Sequence, residues 1–113
     1  MKNNIYITLT GTKYYMGKDF LEPGMKVKLV KEPDNEYDKE SILVKLPGIG
    51  DIGHVANSPY TVIGESVSAG RLYDKIGKKA GAKIVLVTDR GVICKVKKED
   101  IIGYKKPADD EVL

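Results

Sequence analysis

An apolar alternation of period two, repeated in short runs that glycine and proline punctuate, constrains this chain more than any other feature. Such alternation marks half-buried strands rather than helices. From Ile5 to Thr10, the residues Ile5, Ile7 and Leu9 share one face, Tyr6, Thr8 and Thr10 share the other, and Gly11 breaks the run. From Met25 to Val30, Met25, Val27 and Leu29 alternate with Lys26 and Lys28, after a turn at Pro23-Gly24. A charged outer face over an apolar inner one fits an antiparallel sheet. Ser41 to Leu46 repeats the theme with Ile42, Val44 and Leu46, Pro47-Gly48 ends it, and Asp51 to Val55 begins a partner. That pair predicts a hairpin. Lys83 to Thr88 and Val92 to Lys97 are the last predicted strands, joined by Asp89-Arg90-Gly91.

Ser58-Pro59 reads as a helix start, because serine can cap free amides and proline is tolerated at the first helical position. A short helix is expected to follow it, with further helical turns over Arg71 to Ile76 before Gly77. The prediction is a mainly β protein of about six short strands with a short helical insertion, compact enough to close as a barrel and so remove its sheet edges. A chain of 113 residues, 42% of them hydrophobic, suits one domain with one modest core. Residues 1–106 are assigned to that domain, and 107–113, with Asp109-Asp110-Glu111, to an acidic tail expected to fray. No internal repeat appears.

Several classes are excluded at this level. No stretch approaches the roughly 18 consecutive apolar residues of a membrane span, and Met1-Lys2-Asn3-Asn4 leads into a strand rather than a signal-peptide hydrophobic region. A soluble, cytoplasmic protein without a membrane partner is expected. The single cysteine, Cys94, and the single histidine, His54, are too few for a zinc site. Cys94 shares its face with Val92 and Val96 and reads as a small buried apolar residue. Charge is uneven: residues 1–70 hold 8 basic and 9 acidic side chains, residues 71–106 hold 11 and 4, and residues 107–113 hold three acids. The 71–106 stretch is the electrostatic attractor.

Three motifs invite chemistry that their context refuses. Gly48-Ile49-Gly50-Asp51-Ile52-Gly53 matches G-x-G-x-x-G, yet extended His54-Val55 follows where the dinucleotide fingerprint needs a helix. A hairpin turn is the better reading. Gly77-Lys78-Lys79-Ala80-Gly81-Ala82-Lys83 lacks the Gly-Lys-Ser/Thr ending of a phosphate loop and reads as a basic connecting loop. Asp34, Glu36, Asp38 and Glu40 alternate, but no glycine sits where a calcium loop turns, and no second acidic cluster or base is set for hydrolysis. No cofactor, no metal and no catalytic residue are assigned, and the chain is not read as an enzyme.

What remains is a pair of segments that follow strands and set charge beside aromatic rings. Gly11 to Gly17 carries Lys13, Tyr14 and Tyr15, and the loop after Leu29-Val30 carries Asn35, Tyr37 and Asp38. With His54 these residue types suit a single-stranded nucleic-acid end. Tyrosine rings stack on bases of any identity, Lys13 and His54 can meet phosphate, and an ionised Asp38 accepts only from a donor such as a terminal sugar hydroxyl. Tyrosines also pack at loop bases, and Asn35 and Asp38 also build turns, so residue types alone leave both readings open.

The string Thr8 to Gly17, the stretch Val27 to Ile42 with its Glu-Pro-Asp-Asn-Glu-Tyr-Asp core, and Ile52-Gly53-His54-Val55 together resemble the HIRAN domain family, over residues 5–96. The resemblance implies a small OB-like or SH3-like β-barrel that grips the 3′ end of single-stranded DNA without catalysis. It implies a role accessory to DNA repair or replication-fork processing, with a helicase or other repair protein as a further partner. By the same resemblance Lys13 and His54 would serve phosphate, Tyr14 and Tyr15 the pocket wall, Tyr37 base stacking, Asp38 the terminal hydroxyl, and Asn35 the loop's shape. There are three departures from the family pattern: Lys13 stands for an arginine, Glu36 for a proline, and Val55-Ala56-Asn57 where lysines are expected. Glu36 and the missing lysines motivate an alternative, a protein-interaction or regulatory barrel without DNA binding.

Overall fold

The structure, a computed structural model, describes residues 4–105. Six strands form it: β1 (Tyr6–Thr10), β2 (Lys26–Lys31), β3 (Ile42–Leu46), β4 (Gly50–Val55), β5 (Lys79–Val87) and β6 (Val92–Val96). One short helix, α1 (Ala69–Tyr73), precedes β5, and 3₁₀ turns occupy Thr12–Tyr14 and Lys98–Asp100. The strands close into an antiparallel barrel in the order β1-β4-β3-β2-β5-β6, with β6 returning to β1. Among the described residues, no helix is long and apolar enough to cross a membrane. The tail at 107–113 lies outside the described residues.

Alternation decides which side chains fill the barrel. Ile7, Leu9, Leu29, Val44, Ile52, Ile84, Val92 and Val96 are fully enclosed, each contributing about 1.5–3 kcal/mol by leaving water. Cys94 is enclosed with them, and burial pushes its thiol up to about 12. Thr8 is also fully buried although it belongs to the outer face of β1. The connection after β4 crosses over it: Ile63 N–H donates to Thr8 Oγ1 (3.0 Å) and Val67 N–H donates to the Tyr6 carbonyl (2.8 Å). Because the Ser66 hydroxyl is spent on the Ile63 carbonyl (2.7 Å), the Thr8 hydroxyl donates to Ser66 Oγ (2.7 Å). A buried polar side chain is thereby satisfied.

The helical expectation at Ser58-Pro59 fails for a physical reason. Ser58 caps a turn, its carbonyl accepting from Thr61 and Val62 N–H (both 2.9 Å), but the chain is then drawn onto Thr8 and cannot continue as helix. The helix starts instead after Ser68, whose side chain accepts from Arg71 N–H (3.2 Å), and it ends at Tyr73, short of the Ile76 expected. The expected basic loop over Gly77–Lys83 is also corrected: from Lys79 onward it is strand β5. Ala80, Ala82 and Ile84 turn inward and are buried, while Lys79 and Lys83 turn out.

Gly53, the third glycine of the G-x-G-x-x-G string, has a packing role. A β-carbon there would lie 2.5 Å from the Thr10 carbonyl oxygen and 2.6 Å from Leu9 Cδ1, and its φ is +156°. Only glycine lets β1 and β4 approach this closely. Next to it, Val44 pairs with Gly53 and Lys45 with Asp51, leaving Ile52 as the extra residue of a bulge. Bulges of this kind bend a strand and sharpen its twist.

Candidate functional site

The segments that carry the candidate residues leave from neighbouring strands. Thr10, at the end of β1, pairs with His54 on β4; Leu43 on β3 pairs with the same His54; Lys31, at the end of β2, pairs with Ile42. The Gly11–Gly17 segment, the loop over 32–41 and His54 therefore meet along one rim of the barrel.

Gly11, with φ +76°, turns the chain out of β1 and into the 3₁₀ turn, whose Tyr14 N–H returns to the Gly11 carbonyl (3.0 Å). Lys13 Nζ lies 5.2 Å from the Tyr14 ring centroid, within cation–π range, and Tyr14 is 76% exposed. Tyr15 turns the other way. Its hydroxyl lies 3.5 Å from His54 Nδ1, a long contact, and the two rings sit 6.1 Å apart at 47°. His54 Nε2 donates to Glu32 Oε1 (2.9 Å), which also accepts from the Ser41 hydroxyl (2.7 Å). A carboxylate can only accept, so Glu32 fixes the proton on Nε2 and leaves Nδ1 facing Tyr15. Partial burial first, then the charges of Asp51 and Glu32, raise Tyr15 above the usual tyrosine value. Its hydroxyl stays a donor.

The 32–41 loop is shaped by side chains that imitate backbone. Asn35 Oδ1 accepts from Tyr37 N–H (2.8 Å) and Asp38 N–H (3.0 Å), the Asx geometry that lets asparagine nucleate a turn. Asp38 Oδ1 accepts from Glu40 N–H (2.9 Å) and its Oδ2 from Asn57 Nδ2 (3.1 Å). Asn57 Oδ1 in turn accepts from Gly70 N–H (2.8 Å), so the loop is tied to the first turn of α1. Each Asp38 oxygen retains room for one further donor. Tyr37 sits on top of this turn at 96% exposure, where its ring supports nothing in the fold.

Tyr15 and His54 thus touch, Asn35, Tyr37 and Asp38 share one turn, and Glu32 links the two groups, while Lys13 and Tyr14 form a separate exposed pair. The rim is an open surface. Grooves of about 890 and 570 Å³ lie elsewhere and include none of these residues. Glu32, Ser41 and Asn57 were not among the sequence candidates, because their roles come from hydrogen bonds across strands that no local pattern signals. Among the described residues, no group of three or more His, Cys, Asp or Glu is placed to hold a metal ion.

A closed six-stranded barrel carrying an aromatic and charged rim on its loops defines a small binding module. A family model for the HIRAN domain matches residues 2–64, from β1 through β4 and past it, a stretch that includes every candidate residue. The chain belongs to the HIRAN domain family. That family is one of DNA-binding rather than catalytic domains, and membership supports a nucleic-acid-binding role. The fold is similar to the HIRAN domain of human HLTF, with TM-score 0.54 and 18% identity, covering 86% of this chain and 78% of that one. It is also similar to a protein from Lactobacillus plantarum, with TM-score 0.51 and 19% identity, covering 83% of this chain and 96% of that one. At such identities the likeness bears on fold alone. No match is found among curated protein sequences.

Proposed function

We propose that this chain binds the 3′ end of single-stranded DNA at the rim formed by the Gly11–Gly17 segment, the 32–41 loop and His54, without catalysis. In this reading it is a cytoplasmic accessory to DNA repair or replication-fork processing, acting beside a helicase or other repair protein. What carries the proposal is Tyr37, an aromatic ring almost wholly exposed on a turn that is itself rigidly bonded. Stacking of a terminal base on it contributes about 1–3 kcal/mol. Asp38, a residue away, takes the terminal hydroxyl, Lys13 meets the adjoining phosphate, and His54 joins it as the imidazolium, whose Nδ1–H donates while Nε2–H stays on Glu32. Loss of translational and rotational freedom offsets much of the gain, so affinity in the micromolar range is expected.

The test is fluorescence anisotropy with one short oligonucleotide ending in a 3′-hydroxyl or a 3′-phosphate. Binding of the first and strong loss with the second, whose charge opposes Asp38, is the expected result. Equal affinity for both ends rejects the mechanism. The acidity of the loop, where Glu32, Asp34, Glu36, Asp38 and Glu40 face only Lys31 and Lys39 in sequence, favours a second reading, a barrel that binds a basic protein partner there. Absence of any DNA binding at the rim would leave that reading standing.

A further inference from the structure

The lysines of β2, β5 and β6 are aligned across strands in a way that a fold optimised for stability alone would avoid. Lys26 stands directly opposite Lys83, and Lys83 directly opposite Lys95. One row along, Lys28 stands opposite Gly81, whose carbonyl accepts from Lys97 N–H (2.9 Å). Like charges facing each other across a ladder are destabilising. Among the described residues no ion pair includes Lys26, Lys83 or Lys95: the ion pairs are His54–Glu32 and Lys45–Asp51, the latter at the end of the Lys28 row, where Lys45 stands opposite Lys28. These side chains line a groove of about 890 Å³ that holds seven lysines and two carboxylates, Glu99 and Asp100. Asp100 is already committed, its Oδ2 accepting from Gly81 N–H (2.8 Å). Gly81 supplies the floor, where absence of a side chain keeps the groove open.

We propose that this outer face of β2, β5 and β6 is a second binding surface that holds the sugar–phosphate backbone of duplex DNA without reading its sequence. Charge complementarity chooses a polyanion. Two further observations choose a duplex over a single strand. The lysines form a two-dimensional array, about 10 Å across the Lys26, Lys83 and Lys95 row and about 13 Å along β5 from Lys79 to Lys83, rather than a single track. No aromatic ring lines the groove, whereas single-strand sites combine charge with stacking platforms. β5, β6 and the turn after them, which supply five of the seven lysines, lie outside the family-matched residues 2–64, while Lys26 and Lys28 of β2 lie within them. The proposal goes beyond end binding and does not depend on it.

The experiment uses a labelled duplex of about 20 bp with both 3′ ends phosphorylated, which disables the proposed rim, and reads anisotropy from about 50 to 200 mM salt. Wild-type protein is expected to bind with a log–log salt slope of about −0.9 for each phosphate contacted. Lys83→Glu converts a repulsive row into an attractive one, so its melting temperature is expected to hold or rise while affinity for the duplex falls about tenfold and the slope flattens by about one to two units. Lys83→Gln is expected to fall between the two. Tyr37→Ala is expected to bind this duplex as wild type does. Wild-type affinity in Lys83→Glu overturns the proposal, as does an equal loss in Tyr37→Ala. Binding to phosphatidylserine vesicles without binding to the duplex overturns it in favour of a lipid surface.

Discussion

The two faces of this barrel offer opposite kinds of surface. At the rim, acidic side chains dominate the 32–41 loop, yet each of Glu32, Asn35 and Asp38 is engaged in hydrogen bonds, so the exposed Tyr37 is presented by a rigid frame. Across β2, β5 and β6, lysines oppose lysines with no acid between them. The rim is built for geometry and the sheet face for charge. A loop rich in carboxylates gains little from releasing counterions, so any specificity there must come from stacking and from one well-placed acceptor. The sheet face sets seven lysines against two carboxylates with no ring in its groove, and its attraction would be long-ranged, salt-dependent and indifferent to sequence.

The largest expected effect breaks the rim's foundation. Gly53→Ala puts a β-carbon 2.5 Å from the Thr10 carbonyl at a strained φ, which is expected to cost about 3 kcal/mol in a urea or thermal melt. Next, Tyr37→Ala is expected to remove about 1–3 kcal/mol of binding to a 3′-hydroxyl strand while leaving the melt unchanged, since the ring is 96% exposed. A shift in stability would mean that the ring is structural after all. Asn57→Ala releases both Asp38 and the Gly70 amide and is expected to lower stability by about 1 kcal/mol. Its effect on end binding sharpens how far the loop's rigidity matters. Smallest on either face, Cys94 is expected to resist thiol reagents at neutral pH until the barrel unfolds, because burial holds its thiol at about 12. Rapid labelling of folded protein would show that β6 opens.

The strand pattern and the basic character of residues 71–106 are legible in the sequence itself. Val27 and Leu29 alternating with Lys26 and Lys28, and Ile42, Val44 and Leu46 before Pro47-Gly48, mark strands because both faces speak clearly. The start of β5 was hidden by Ala80, Ala82 and Gly81, small residues with weak strand preference that look like loop until β2 pairs with them. Ser58-Pro59 carries a genuine capping signal that tertiary contacts with Thr8 override, while Ser68, two residues before a glycine, carries the cap that is used. At the rim, the turn made by Asn35 and Asp38 is local and therefore legible. Glu32, Ser41 and Asn57 act across strands, and no spacing in the chain announces that.

Amide chemical-shift mapping during titration with a short 3′-hydroxyl oligonucleotide, at salt high enough to suppress the lysine face, tests rim recognition most directly. The expected result is saturable shifts confined to residues 12–16, 33–41 and 53–57. Shifts that leave those three stretches still while others move would contradict the account.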